Sequence, residues 1–207
     1  NYEQYLISNK ILSEETRESI RTEIKAEMDA AIQQVFDEPE ITADTTEEIN
    51  DVFATSTPNI VSPSTKAGSN LRLVDAISRG MYQAMQRHQN LVLMGQDIAE
   101  YGGVFKITEG FVDAFGKDRV RNTPICESAI VGAALGLSIK GYKAMVEMQF
   151  ADFVTCGFNQ IINNLAKINY RWGQCADVVV RMPTGAGVGA GPFHSQSNEA
   201  WFTHTPG

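Results

Sequence analysis

Apolar positions along the chain recur in two different patterns, and the change from one to the other divides the sequence. Ile20, Ile24, Met28, Ala31 and Val35 fall three and four apart, the spacing of an amphipathic helix, with charge on the remaining faces. Ser13 is placed to cap this helix, and Glu14 and Glu15 fall in its first turn, where the positive end of the helix dipole favours carboxylates. The helix is predicted to run to about Asp37, just before Pro39, and its apolar stripe needs a surface to bury against. Residues 45–54 predict a second, short acidic helix with Thr46 as its cap. Both pieces read as helices that dock onto a larger body. Residues 55–69, rich in Ser, Thr and Pro, have the composition of a linker.

Beyond residue 70 helical periods alternate with short apolar runs. Leu71, Val74, Ile77, Met81 and Met85 mark a helix, and residues 91–95, Leu-Val-Leu-Met-Gly, read as a buried strand. Residues 119–123 are a weaker strand candidate. A helix rich in small residues follows over 128–140, closed by Gly141, then a strand over 143–148, a helix over 152–170 and a strand over 177–182. Strand and helix in alternation predict a parallel sheet with helices on both faces, a three-layer α/β domain. Ligand sites in such sheets lie beyond the carboxyl ends of the strands. That rule singles out Asp97, residues 124–127, residues 149–153 and the segment after Met182.

Charge changes the picture through its placement. The 207 residues carry a formal net charge of -8, yet the first 69 hold 14 acidic and 5 basic side chains while the rest hold 11 and 12. The acidity therefore belongs to the leading helices, and the α/β part is close to neutral. No cluster of Lys and Arg suits nucleic acid, and no stretch approaches the roughly 20 apolar residues that cross a bilayer. Cys126, Cys156 and Cys175 form no C-x-x-C pair and read as small core residues. A soluble, cytoplasmic protein in a reducing compartment is expected. Because the first residue is Asn1, a longer parent polypeptide is expected as well.

Candidate chemistry is sparse. Glu127 stands where an extended segment turns into an apolar helix, a partly desolvated position facing the helix N-terminus, which suits either acid–base work or simple compensation of the dipole. Glycines alternate at 185, 187, 189 and 191 and lead through Pro192 to His194. The stretch is a poor match to a nucleotide cradle, because Pro192 and a polar run stand where a helix should begin; a close-approach loop fits better. His194 beyond it suits proton transfer or a polar contact, or a structural role. His88, His194 and His204 have no metal-ligand spacing, and Ser195 lacks a nucleophile elbow, so no zinc, iron or serine-hydrolase chemistry is predicted.

Four ordered blocks carry a resemblance. Gly-Gln-Asp-Ile-Ala-Glu-Tyr-Gly-Gly-Val-Phe-Lys over 95–106, Asn-Thr-Pro-Ile-Cys-Glu over 122–127, Gln-Phe-Ala-Asp-Phe over 149–153 and His-Ser-Gln-Ser-Asn-Glu-Ala-Trp-Phe-Thr-His-Thr-Pro-Gly over 194–207 resemble one family. It is the beta subunit of the thiamine-diphosphate-dependent 2-oxo acid dehydrogenases, in its pyrimidine-binding domain of transketolase-like fold. Residues 1–54 look like the carboxyl-terminal tail of the alpha subunit of the same enzymes. The resemblance thus implies a fused alpha/beta polypeptide: tail over 1–54, linker over 55–69, and a beta domain over 70–207 that is incomplete at its end. It implies that Glu127 hydrogen-bonds the aminopyrimidine of thiamine diphosphate, that Ile125 supports the cofactor, and that Gln149 and Phe153 line the pocket. Where the family pattern has Tyr this chain has Phe153, which keeps the ring and loses the hydroxyl. His194 matches the family's active-site histidine, implied in acyl transfer to lipoyl-lysine. Carbonyls near Ala176, Val178 and Val179 match a stretch that can hold a structural potassium ion. No Gly-Asp-Gly element for magnesium and the diphosphate occurs here. Magnesium is therefore implied on an alpha part outside this chain, and the fragment alone is expected to be inactive. Implied partners are the alpha diphosphate-binding domain, a second copy, and the lipoyl acyltransferase component. Gln-Phe-Ala-Asp over 149–152 favours the branched-chain (2-oxoisovalerate) type. A pyruvate or acetoin enzyme and a non-catalytic assembly fragment are the alternatives.

Overall fold

A computed structural model describes residues 1–57, 59–60, 62, 68 and 70–207, so the predicted linker lies in part outside the described residues. The chain divides into two units, Asn1–Asp44 and Thr45–Gly207. The first consists of α1 (Tyr2–Ser8) and α2 (Glu14–Asp37). As expected, Ser13 caps α2, its Oγ accepting from the Thr16 amide at 3.0 Å. Within the unit, Arg21 grips the Glu3 carboxylate through both oxygens at 2.8 and 3.1 Å. No residue of α2 is buried, and Ile20, Ile24, Met28 and Val35 are exposed. Two helices are too little chain to enclose a core of their own, which leaves the predicted stripe uncovered within its unit.

The second unit opens with α3 (Thr45–Asp51), in which Thr46 lies inside the first turn instead of capping it. Its body is a sheet of β1 (Leu91–Gly95), β2 (Val120–Asn122), β3 (Lys143–Glu147) and β4 (Val178–Arg181), in the order β2-β1-β3-β4 and parallel throughout. Central β1 is buried at every position, which is why its sequence is apolar without alternation. Its side chains still alternate between faces. Leu91 and Leu93 join Met81 and Met85 of α4 (Leu73–Arg87) and Phe111 of α5 (Phe111–Phe115) on one side. Val92 and Met94 join Ala144 and Val146 of β3 and Ile130 and Ala134 of α6 (Glu127–Ile139) on the other. Full burial of each such side chain contributes about 1.5–3 kcal/mol. The predicted three-layer α/β architecture is the one observed. At the end of the sheet remote from the candidate site, Arg119 donates to the carbonyls of Leu91, Met85 and His88 at 3.1, 2.8 and 2.6 Å and so closes the last turn of α4.

Two expectations need correction. The single helix predicted over 152–170 is four successive pieces: a 3-10 turn Ala151–Phe153, α7 (Val154–Asn159), a π turn Gln160–Leu165 and α8 (Ile168–Trp172). The π turn is closed by the Ala166 amide on the Ile161 carbonyl at 2.9 Å, and side-chain amides bond along it, Asn163 to Asn159 and Asn164 to Gln160. Apolar spacing cannot distinguish a five-residue turn from a four-residue one over so short a run. The cysteines are not core residues: all three are exposed. Cys126 is the N-cap residue of α6, Cys156 lies on the outward face of α7 and Cys175 precedes β4, so small size placed none of them inside.

Candidate active site

Two groups of side chains gather beyond the carboxyl ends of the strands. The first forms around Glu127. After β2 the chain turns back on the end of β1, the Thr123 amide donating to the Gly95 carbonyl at 2.9 Å, and α6 then begins at Glu127 itself. Cys126 supplies no side-chain cap. The Glu127 carboxylate is only 8% exposed. Gln96, the residue directly after β1 and 5% exposed, donates from Nε2 to Glu127 Oε1 at 3.1 Å. No second hydrogen bond to the carboxylate is made among the described residues. One oxygen is thus held by a permanent donor, and the other stays available to a ligand or a proton. A buried carboxylate with a single amide partner is costly to keep for structure alone.

The second group forms around His194. The 3-10 turn Ala151–Phe153 presents Phe150 and Phe153, and the His194 ring packs edge-on against both, with centroids 4.9 and 5.3 Å apart. Phe105 joins Phe150 at 5.9 Å from the loop after β1. Phe105, Phe150, His194 and the segment from Pro183 to Val188 line a cavity of about 310 Å³. The two groups meet at the ends of one helix. Phe153 is the N-cap residue of α7, and one turn later Gly157 lies so close to α6 that a Cβ there would stand 3.2 Å from the Glu127 carbonyl oxygen.

The remaining predicted residues are placed less tightly. Gln149 is half-buried, and its side chain makes no hydrogen bond to the described residues. Ile125 is 84% exposed and stands outside both groups. Val178 and Val179 lie on edge strand β4. There the carbonyls of Asp177 and Arg181 accept from β3, so alternation turns the Val179 carbonyl toward β3 and that of Val178 toward the open edge.

Sequence reasoning gave no role to Gln96, Phe105 or Phe150, although all three lie in the quoted blocks, and overlooked a buried pair, Glu147 of β3 with Arg181 of β4. Burial pushes the Glu147 carboxyl up from its ordinary range, and the Arg181 guanidinium opposes that rise. Glu147 also lies under the loop that delivers Phe105: a Cβ on Gly103 would stand 3.2 Å from its Oε1. Gln96 and Phe150 sit inside the blocks that carry the resemblance, and their positions one and three residues past the ends of β1 and β3 were the available signal.

Residues 69–207 match the family described as transketolase, pyrimidine-binding domain. The chain belongs to that family. The mitochondrial 2-oxoisovalerate dehydrogenase subunit beta of Dictyostelium discoideum is 44% identical over 140 residues, covering 66% of this chain and 38% of that protein. The 2-oxoisovalerate dehydrogenase subunit beta of Bacillus subtilis is 44% identical over 138 residues, covering 65% and 42%. A pyruvate dehydrogenase E1 component subunit beta from Leifsonia xyli is 40% identical over 152 residues, covering 72% and 45%. The chain spans about two fifths of the length of these relatives. Among the described residues no helix is long and apolar enough to cross a membrane.

Proposed function

We propose that this chain supplies the pyrimidine-binding half of the active site of a thiamine-diphosphate-dependent 2-oxo acid dehydrogenase of the branched-chain type. On this reading the enzyme decarboxylates 3-methyl-2-oxobutanoate and passes the acyl group to lipoyl-lysine of an acyltransferase partner. The observation that carries the reading is the buried Glu127 at the start of α6, held through one oxygen by Gln96, in a domain of the pyrimidine-binding family. At the pyrimidine end Glu127 offers an open carboxylate oxygen, which suits an aminopyrimidine, and we take Phe150 and Phe153, which pack on each other beside His194, as aromatic walls of the same site. At the diphosphate end they do not suffice, since among the described residues no group of three or more His, Cys, Asp or Glu gathers. We assign magnesium and the diphosphate to an alpha part, and residues 1–54 to the tail of that part in one fused polypeptide. A Gly-Asp-Gly element upstream of Asn1 is the expected finding.

Thiamine diphosphate, when bound, would supply a carbon nucleophile and an electron sink for the decarboxylation. Glu127 exchanges a proton with the aminopyrimidine through the oxygen that Gln96 leaves open. Gln96, which cannot accept that proton, fixes the carboxylate's orientation. Phe105 and Phe150 exclude water from the cavity beside His194. His194, held between Phe150 and Phe153, orients the acyl oxygen and serves its transfer to lipoyl.

The test uses the full-length protein with its partners, thiamine diphosphate, magnesium and 3-methyl-2-oxobutanoate. Glu127→Gln is expected to lower decarboxylation on the order of 10²- to 10⁴-fold, and full retention would remove Glu127 from the chemistry. The Leifsonia xyli relative favours pyruvate as a second reading, and the ratio of kcat/KM for the two 2-oxo acids decides between them. Turnover of neither acid would leave an assembly role.

A further inference from the structure

The segment between β4 and α9 (Ala200–Thr203) is a glycine strap whose two ends are fastened to one buried turn. At its start, the Ala151 amide donates to the Pro183 carbonyl at 2.8 Å. At its far end, the Gln196 amide donates to Asp152 Oδ1 at 3.2 Å, and Asn198 Nδ2 donates to the Ala151 carbonyl at 3.0 Å. The ends are also tied to each other, since the Gly185 amide and the Thr184 hydroxyl both donate to the Gln196 carbonyl, at 3.1 and 2.8 Å. Between these fastenings the strap is exposed, and Gly185, Gly189 and Gly191 hold positive φ. His194 lies two residues inside the far fastening. Its ring rests on Phe150 and Phe153, the residues that flank Ala151 and Asp152.

Asp152 and Asn198 are 8% and 6% exposed, so both fastenings are buried. Asp152 is buried between Phe150, which lines the cavity, and Phe153, and its Oδ2 has no partner. Burying a carboxylate for one backbone hydrogen bond is unfavourable by itself. The arrangement makes sense where the bond fixes something else. Here it fixes the backbone that carries His194 against the turn that carries the rings on which His194 rests.

We infer that Asp152 is a positioning residue for His194: its carboxylate clasps the strap at Gln196 and so sets the imidazole in the cavity. The inference rests on the role proposed for His194. It predicts a split between the two halves of the site, because the Glu127–Gln96 pair makes no bond to the strap.

In the full-length enzyme with its partners, Asp152→Ala is expected to lower kcat for acyl transfer to lipoyl on the order of 10²-fold, the cost of a displaced reacting group. The dissociation constant for thiamine diphosphate and the KM for the 2-oxo acid should stay within about twofold. Hydrogen–deuterium exchange over residues 184–198 should rise in the same variant without any substrate present. Asp152→Asn keeps an acceptor for the Gln196 amide and should restore acyl transfer to within about threefold, the neutral acceptor being the weaker one. Should Asp152→Ala not fold, Asn198→Ala opens the neighbouring fastening and should give the same split and the same rise in exchange, each smaller. Unchanged exchange over 184–198 in whichever of the two folds overturns the inference, as does an Asp152→Asn variant as impaired as Asp152→Ala. His194→Ala run in parallel separates the two levels. If it leaves acyl transfer intact, the role proposed for His194 fails. If it impairs transfer and Asp152→Ala does not, only the clasp fails.

Discussion

Glu127 and His194 are held by opposite means. Glu127 begins a helix, borders the end of a central strand, and is fixed by regular elements packed so tightly that a Cβ at 157 would stand 3.2 Å from its carbonyl oxygen. His194 sits on an exposed strap with little regular structure, fastened at two buried points. A group that only exchanges a proton with a stationary ring profits from a rigid seat. On the proposed reading His194 serves acyl transfer to an arriving partner, and such a group profits from a segment that can give way between fixed ends. One fold provides both because the turn Ala151–Phe153 faces the strap while α7, which follows it, faces α6.

The largest effect is expected where β3 and β4 meet, since β4 leads straight into the strap. Arg181→Met leaves Glu147 buried without its partner, which should cost about 3–5 kcal/mol in chemical denaturation. Its pH dependence has a definite sign. Burial already raises the folded-state carboxyl, so the stability this group contributes is present at low pH and is lost as pH rises through the folded value. Without the guanidinium the rise is unopposed. The deficit of Arg181→Met relative to the parent should therefore shrink as pH falls from about 8 to about 5. Adding Glu147→Leu to Arg181→Met should recover most of the loss, because the pair already leaves the Arg181 Nε–H without a partner. A double variant no better than the single would show that the pair holds the strap's origin in a way bulk cannot replace.

The contrast between the two arms also explains what the sequence disclosed. Strand β1 was legible because burial on both faces writes itself as an apolar run, β3 and β4 by their short apolar runs although β4 is only partly covered, and α6 because its end is marked by Gly141, whose φ of +83° suits glycine. Glu127 was legible as a carboxylate at a strand-to-helix junction. Its partner was not. Gln96 lies 31 positions away and meets Glu127 only because parallel pairing brings the ends of β1 and β2 together. The Asp152 clasp spans 44 positions, and the Glu147–Arg181 pair depends on a register that no local pattern encodes. The cysteines misled for the converse reason: residue type alone carries no direction.

A smaller effect tests the rigid arm. At Gly157 a Cβ would stand 3.2 Å from the Glu127 carbonyl oxygen and 3.5 Å from Met148 Cε, and the backbone of α6 cannot step aside without moving the carboxylate. Gly157→Ala should cost about 1–3 kcal/mol and lower cofactor affinity with it. Loss of stability with unchanged affinity would show that α6 shifts without disturbing the Gln96 contact.

The smallest effect is expected at the matching substitution on the strap, and it separates the two arms most sharply. Gly187 lies in the turn Ala186–Val188, its φ is outside the positive region, and a Cβ there would meet nothing within 4 Å. Alanine fits without strain and removes freedom only from the unfolded chain, so Gly187→Ala should raise stability by about 0.4–1 kcal/mol. If the strap works as a fixed support for His194, acyl transfer will be unaltered or slightly faster. If the span between the fastenings must flex to admit lipoyl, the same variant will be more stable and slower in acyl transfer, while decarboxylation, which depends on the rigid arm, is unchanged. A stabilised variant slowed equally in both steps would mean that the arms do not act separately.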